Sequence, residues 1–140
     1  MNTDERDRIE RACERLIIAY ARYADTCDDE NFAALFTDDG RLHRGTDTVV
    51  GREAIRAAMG TRRRDSVVRH LCSNILVDVI DADTASAVSA MTLYRSFGSG
   101  EMPAALPPVE MIVDYHDRFR RTADGWRIAD RRTVIVYRSK

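Results

Sequence analysis

The sequence predicts an α+β fold: three N-terminal helices, then a curved antiparallel sheet of four long strands plus a short strand pair. The sheet is expected to wrap around the helices and leave a cone-shaped cavity. Three observations carry this. Apolar residues recur every three or four positions in the first part of the chain and every second position afterwards, the change of period that separates helix from strand. The strand-like segments Ser66–Ile80, Thr84–Phe97, Val109–Arg121 and Trp126–Arg138 are each about twice the usual ~5–6 residues, and long strands must twist and coil. The connections "DAD" and "TADG" are hairpin turns, which make neighbouring strands antiparallel.

In chain order, Ile9, Ala12, Cys13, Leu16, Ile17, Tyr20, Tyr23 and Ala24 form the buried stripe of a helix from Asp4 to about Ala24. Asn2 or Thr3 caps it, and Asp4 and Glu5 suit its first turn. Asp28 or Asp29 caps a short second helix, "ENFAALF", which "TDDG" is expected to stop. A short strand pair falls within Arg41–Val50. "GREAIRAAMG" is a third short helix bounded by Gly51 and Gly60. Between the second and third long strands, "GSGEMPAALPP" holds all three prolines and has the length of a flap over an opening. No repeat or low-complexity tract divides residues 1–140, which make a single domain.

Composition narrows the function classes. With 140 residues, 44% hydrophobic and 32% charged, the chain can bury one core. A formal charge of −1 gives no global field toward nucleic acid or anionic lipid, although all basic residues but Lys140 are arginines. "TRRRD" at Thr61–Asp65 is too small a cluster for a nucleic-acid footprint. Cys13, Cys27 and Cys72 are widely spaced and suit reduced thiols rather than a disulfide or zinc framework. No segment approaches the ~18 apolar residues of a membrane span, and the N-terminus lacks an apolar targeting stretch. A cytoplasmic protein is expected. His43, His70 and His116 are scattered, so no three-His metal site is expected.

Polar residues in the inward phase of a strand are candidates for chemistry. In Val109–Arg121 the alternation sends Val113, Tyr115, Asp117 and Phe119 to one face and His116 to the other. His70 shares a face with Val68 and Cys72, subject to a bulge at "CSN". Tyr20 lies on the apolar arc of the first helix. Asp25 ends that helix, where the dipole favours cations and an acid costs roughly 0.3–1 kcal/mol. Asp28 and Asp29 are better placed to cap the second helix, so Asp25 lacks an ordinary reason to be there.

The stretches "LIIAYARYADTCDDENFAALFTDDG", "GREAIRAAM", "RHLCSNILVD" and "YHDRFRRTADGWRIADRR" resemble the SnoaL-like branch of the nuclear transport factor 2-like superfamily over nearly the whole chain. The resemblance implies a cone of curved sheet over three helices, usually as a homodimer. Its motifs are specific for the fold and not for one reaction. The site pattern resembles those of scytalone dehydratase and bile acid 7α-dehydratase, which pair an Asp at the end of helix one with a His on the strand after the third helix. Asp25 and His70 fall at those places. Tyr20 matches a Tyr five residues before that Asp in the bile acid enzyme, and Tyr115 falls where scytalone dehydratase has a pocket Asn. An Arg of the bile acid enzyme is replaced by Ile135, with Arg131 and Arg132 nearby. A second pocket His of scytalone dehydratase is lost, with Tyr94 or Arg95 near its place. The general base of ketosteroid isomerase falls at Arg44, which cannot act as a base at neutral pH, so that activity is not expected.

The resulting expectation is a cofactor-independent lyase or isomerase that moves a proton next to a carbonyl of a small, largely apolar substrate. Asp25, His70 and Tyr20 would be catalytic, and Tyr115, Tyr94 and Arg131 would bind substrate, with no metal. The alternative is a non-catalytic ligand-binding module, or the small subunit of a ring-hydroxylating dioxygenase, which shares the fold and needs no acid–base pair.

Overall fold

The computed structural model describes all 140 residues. Helix α1 (Thr3–Asp25) begins at Asn2, whose side chain accepts from the Glu5 amide at 2.9 Å while the Glu5 carboxylate accepts from the Asn2 amide. Such a reciprocal box contributes on the order of 1 kcal/mol. At the other end, Cys27 adopts a left-handed conformation (φ 55°) and the Asp28 amide bonds back to the Tyr23 carbonyl, which ends the helix. Asp28 then caps α2 (Asp29–Ala34) by accepting from the Asn31 amide.

After β1 (Phe36–Arg44) and β2 (Asp47–Val50), helix α3 (Arg52–Gly60) leads into the long strands β3 (Ser66–Val79), β4 (Thr84–Phe97), β5 (Met111–Thr122) and β6 (Gly125–Arg138). One six-stranded sheet results, in the order β2-β1-β6-β5-β4-β3, curved and unclosed. Its concave face holds α1, and Cys13, Ile17, Phe32, Phe36, Ile55, Val113 and Ile128 form the centre of the core at 0–1% exposure.

Two expectations are corrected. The second helix stops at Ala34, and "TDDG" lies inside a strand that starts at Phe36 rather than Arg41. The sheet is also mixed, because β1 runs parallel to β6. Leu35 delivers the chain to the end of the sheet where β6 begins, its carbonyl accepting from the Ile128 amide at 2.8 Å. The next strand therefore sets off in the direction of β6. The register shifts between Phe36 and Arg41, and Gly40 is required there. A Cβ on it would lie 3.0 Å from the Phe36 Cβ and 3.2 Å from the Ile128 carbonyl oxygen. In β3 the bulge falls between Ser73 and Leu76, with Asn74 left-handed (φ 50°). It lies beyond Cys72, so His70 keeps the inward phase of Val68 and Cys72.

Candidate active site

Between α1, α3 and the concave face of the sheet is a cavity of about 440 Å³, within the range of small-molecule sites. Each wall is set by strand phase or helix position. Tyr20, Ala24 and Asp25 come from the end of α1, Met59 from α3, and Val68 and His70 from β3. Met91, Leu93 and Arg95 come from β4, Met111, Val113 and Tyr115 from β5, and Thr133 and Ile135 from β6.

Asp25 and His70 meet at its edge. The Asp25 Oδ1 lies 2.6 Å from the His70 Nδ1, and both carboxylate oxygens lie 3.1 Å from the His70 backbone nitrogen. The side chains are 8% and 13% exposed. Two N–H groups of one residue thus point at one carboxylate, which must be the acceptor. Nδ1 then carries the proton, and the carboxylate fixes the tautomer. The Nε2 atom is left with no protein partner on a side chain that lines the cavity. The helix-end acid therefore has three donor contacts from His70 that outweigh its unfavourable place on the dipole.

Tyr20 and Tyr115 lie side by side, ring centroids 5.6 Å apart and nearly edge-on at 67°. Burial pushes the Tyr20 phenol up, with the Arg131 charge opposing, and it pushes Tyr115 well above the ordinary tyrosine value. Both stay protonated near neutral pH and can donate a hydrogen bond. Burial also raises the Cys72 thiol, and Cys13 is pushed up to about 12, so neither is a ready thiolate.

Arg131 is fully buried behind these rings and does not line the cavity. Its guanidinium carbon is 4.1 Å from the Tyr20 ring centroid and 3.8 Å from that of Tyr115. Its Nε and Nη2 donate to Asp117 at 2.7 and 2.8 Å, in a bidentate cross-strand pair between β6 and β5. Burial works against its charge, but Asp117 and the two tyrosines outweigh this and hold its pKa above the usual range. Arg131 thus seats the two phenols, and the substrate-contact role expected for it does not fit its position. Tyr94 stands in the outward phase of β4, opposite its cavity-lining neighbours Leu93 and Arg95, and is likewise outside the cavity. Asp25, His70, Tyr20 and Tyr115 are brought together.

Two residues that the sequence names without giving them a place in the site matter here. Asp117 stands in the inward phase of β5, where a carboxylate needs a cation, and Arg131 is its only register partner on β6. Arg44 shares the inward phase of Leu42 in β1, a phase readable only once the strand's start is known. No cluster of three or more His, Cys, Asp or Glu side chains converges in a way that could hold a metal ion.

Residues 6–132 match the SnoaL-like domain family, and the chain belongs to it. Among solved structures it is similar to a putative scytalone dehydratase from Novosphingobium aromaticivorans (TM-score 0.81, 22% identity, 99% of this chain and 91% of that one covered). It is also similar to an NTF2-like protein with a cystatin-like fold from the same organism (TM-score 0.78, 28% identity, 96% and 88% covered). ActVI-ORFA from Streptomyces coelicolor is a third (TM-score 0.77, 18% identity, 91% and 97% covered). The likeness to the first and third is one of fold. No curated protein matches the chain. The domain is thus SnoaL-like, with a cavity suited to a small ligand, in a family that includes isomerases and dehydratases. No helix is long and apolar enough to cross a membrane.

Proposed function

We propose that this protein is a cofactor-independent lyase or isomerase acting by proton transfer next to a carbonyl of a small, largely apolar substrate of polyketide, steroid or aromatic type. The observation that carries the reading is the 2.6 Å contact between Asp25 and His70, with Nε2 unpartnered at the cavity. In this scheme Nε2 removes a proton from the carbon beside the carbonyl, and Asp25 stabilises the imidazolium that forms. Tyr20, with Tyr115 beside it, donates to the developing enolate oxygen. The imidazolium then returns the proton to a departing hydroxyl, giving dehydration, or to another carbon, giving isomerisation. A purely structural subunit has no use for a free imidazole nitrogen in a cavity, which favours catalysis over that alternative.

The working unit in this proposal is a homodimer in the cytoplasm. Support for the dimer comes from Val88, Val134 and Val136, exposed on the outer face of the sheet. The three unpaired cysteines fit a reducing compartment. The test reads proton transfer itself and needs no natural substrate. 2-Tetralone is incubated in D₂O with wild type and with His70→Gln, and deuterium entering beside the carbonyl is followed by proton NMR. Exchange faster than buffer that disappears in His70→Gln is the expected result. Equal rates in wild type, variant and buffer would count against the proposal.

A further inference from the structure

The cavity has a charge pattern that the proton-transfer scheme leaves unused. Four arginines line it: Arg44, Arg62, Arg63 and Arg95. The only lining carboxylate is Asp25, which is committed to His70. Two of the four are spoken for. Arg62 donates to the carbonyls of Ala24 and Met59, and Arg63 forks onto Asp65. Arg95 is half committed: its Nη2 is 3.5 Å from Glu110, and its Nε is buried without a partner. The Arg44 side chain has no ion pair and no hydrogen bond, and its Nε is buried. A buried guanidinium Nε–H with nothing to receive it is costly unless a ligand supplies the acceptor, while the rest of this half-buried group stays open to the cavity.

We infer that the substrate of this cavity is an acid, a small apolar body bearing one carboxylate that Arg44 binds, with Arg95 as second donor. The inference rests on the reading of this cavity as the substrate site and goes further by naming the charged group. Charge counting selects the carboxylate. One wholly free guanidinium and one partly free one match a single negative charge with two oxygens, the geometry a guanidinium fork fits. The apolar body has Met91, Leu93, Met111 and Val113 to lie against. Arg95 pairs in register with Val68, two residues along β3 from His70. This sets the backbone of the second donor's residue about 7 Å from His70 along the sheet. The acid group and the reacting carbon are then separate parts of one molecule, and the proton is removed away from the carboxylate.

The test compares two probes with one apolar body, 2-naphthoate and neutral 2-naphthamide, by calorimetric titration of wild type, Arg44→Gln, Arg44→Lys and Arg95→Gln. Occupancy is followed through the His70 ring NMR signals. Wild type is expected to bind the acid about tenfold tighter than the amide, the size of one charge-assisted contact. Arg44→Gln should remove that preference, Arg44→Lys should keep part of it, and Arg95→Gln should reduce it, all with amide affinity held. Equal affinity for both probes, with both displacing the His70 signals, overturns the acid inference and leaves the cavity as a substrate site. A preference that survives in Arg44→Gln and Arg95→Gln also overturns it. If neither probe moves the His70 signals, the inference fails together with the reading of the cavity. Thermal melts of each variant separate lost binding from lost folding.

Discussion

Histidine meets aspartate twice in this molecule, on opposite faces of one sheet, and the two pairs differ in what they leave free. On the concave face, His70 gives Nδ1 to Asp25 and keeps Nε2 unpartnered in a cavity. On the outer face, His43 has both nitrogens occupied, Nε2 at 2.8 Å from Asp130 and Nδ1 at 3.0 Å from Thr48. The inner pair is 13% and 8% exposed and the outer one 22% and 29%. An imidazole with both nitrogens engaged braces β1 against β2 and β6, and it has no nitrogen left to take a substrate proton. The same two residue types thus close both ring nitrogens in one place and leave one open to a cavity in the other. Local hydrogen-bond accounting decides which.

Substitution tells the two pairs apart. The largest expected effect is that of Asp25→Asn, which should lower the rate of deuterium exchange into 2-tetralone by roughly 10²–10³-fold with an unchanged far-UV spectrum. Nitrogen-15 spectra of the His70 ring should lose the single tautomer that the carboxylate imposes. A rate within a few fold of wild type would put the inner pair in the same bracing role as the outer one. Tyr20→Phe comes next, with a loss on the order of 10²-fold and little change in melting temperature, since the ring keeps its packing on Phe32 and Arg131. A large loss of stability with a normal rate would instead make Tyr20 a packing residue.

Alkaline titration reads the groups packed on the inner side of the sheet. Folding raises the pKa values of Cys13, Cys72, Tyr20 and Tyr115, from ordinary values of 9.0 for the thiols and 10.0 for the phenols. The unfolded chain therefore loses these protons first. Their contribution is complete below about pH 9 and declines as pH rises through the folded-state values. Urea unfolding at steps from pH 8 to 11 should show stability falling across that window, with a shallower fall in Tyr115→Phe. An unchanged slope would mean the phenol is better solvated than its surroundings indicate. The smallest effect belongs to the outer pair. His43→Ala should leave the exchange rate within about twofold and reduce stability by less than about 1 kcal/mol, the usual range for a partly exposed ion pair. A larger loss of rate would show that the outer face reaches the chemistry.

Much of this is legible in the sequence because short-range rules govern it. The inward phase of Val113, Tyr115, Asp117 and Phe119 follows from alternation in an uninterrupted strand. The α1 stripe follows from helical spacing, and the bulge near Asn74 is marked by "CSN". Sequence reasoning fails where a local signal is overruled from a distance. "TDDG" has the chemistry of a stop, yet Phe36 and Thr37 are drawn into a strand because β6 offers a parallel partner on that edge. Likeness of position puts Tyr94 and Arg131 near the substrate, and the structure does not. One phase step turns Tyr94 to the far face, and Asp117 draws Arg131 behind the tyrosines.

Fold class, the order of helices and long strands, and the phase of Tyr115, Asp117 and His70 can be read along the chain, since periodicity and residue type are properties of neighbours in sequence. Which histidine keeps a free nitrogen, which cavity arginine has no side-chain partner, and the mixed sheet emerge only when the chain is folded. Those outcomes depend on groups 45 residues apart for Asp25 and His70, and 87 apart for His43 and Asp130. A hydrogen bond is set by distance in space, which no local pattern encodes.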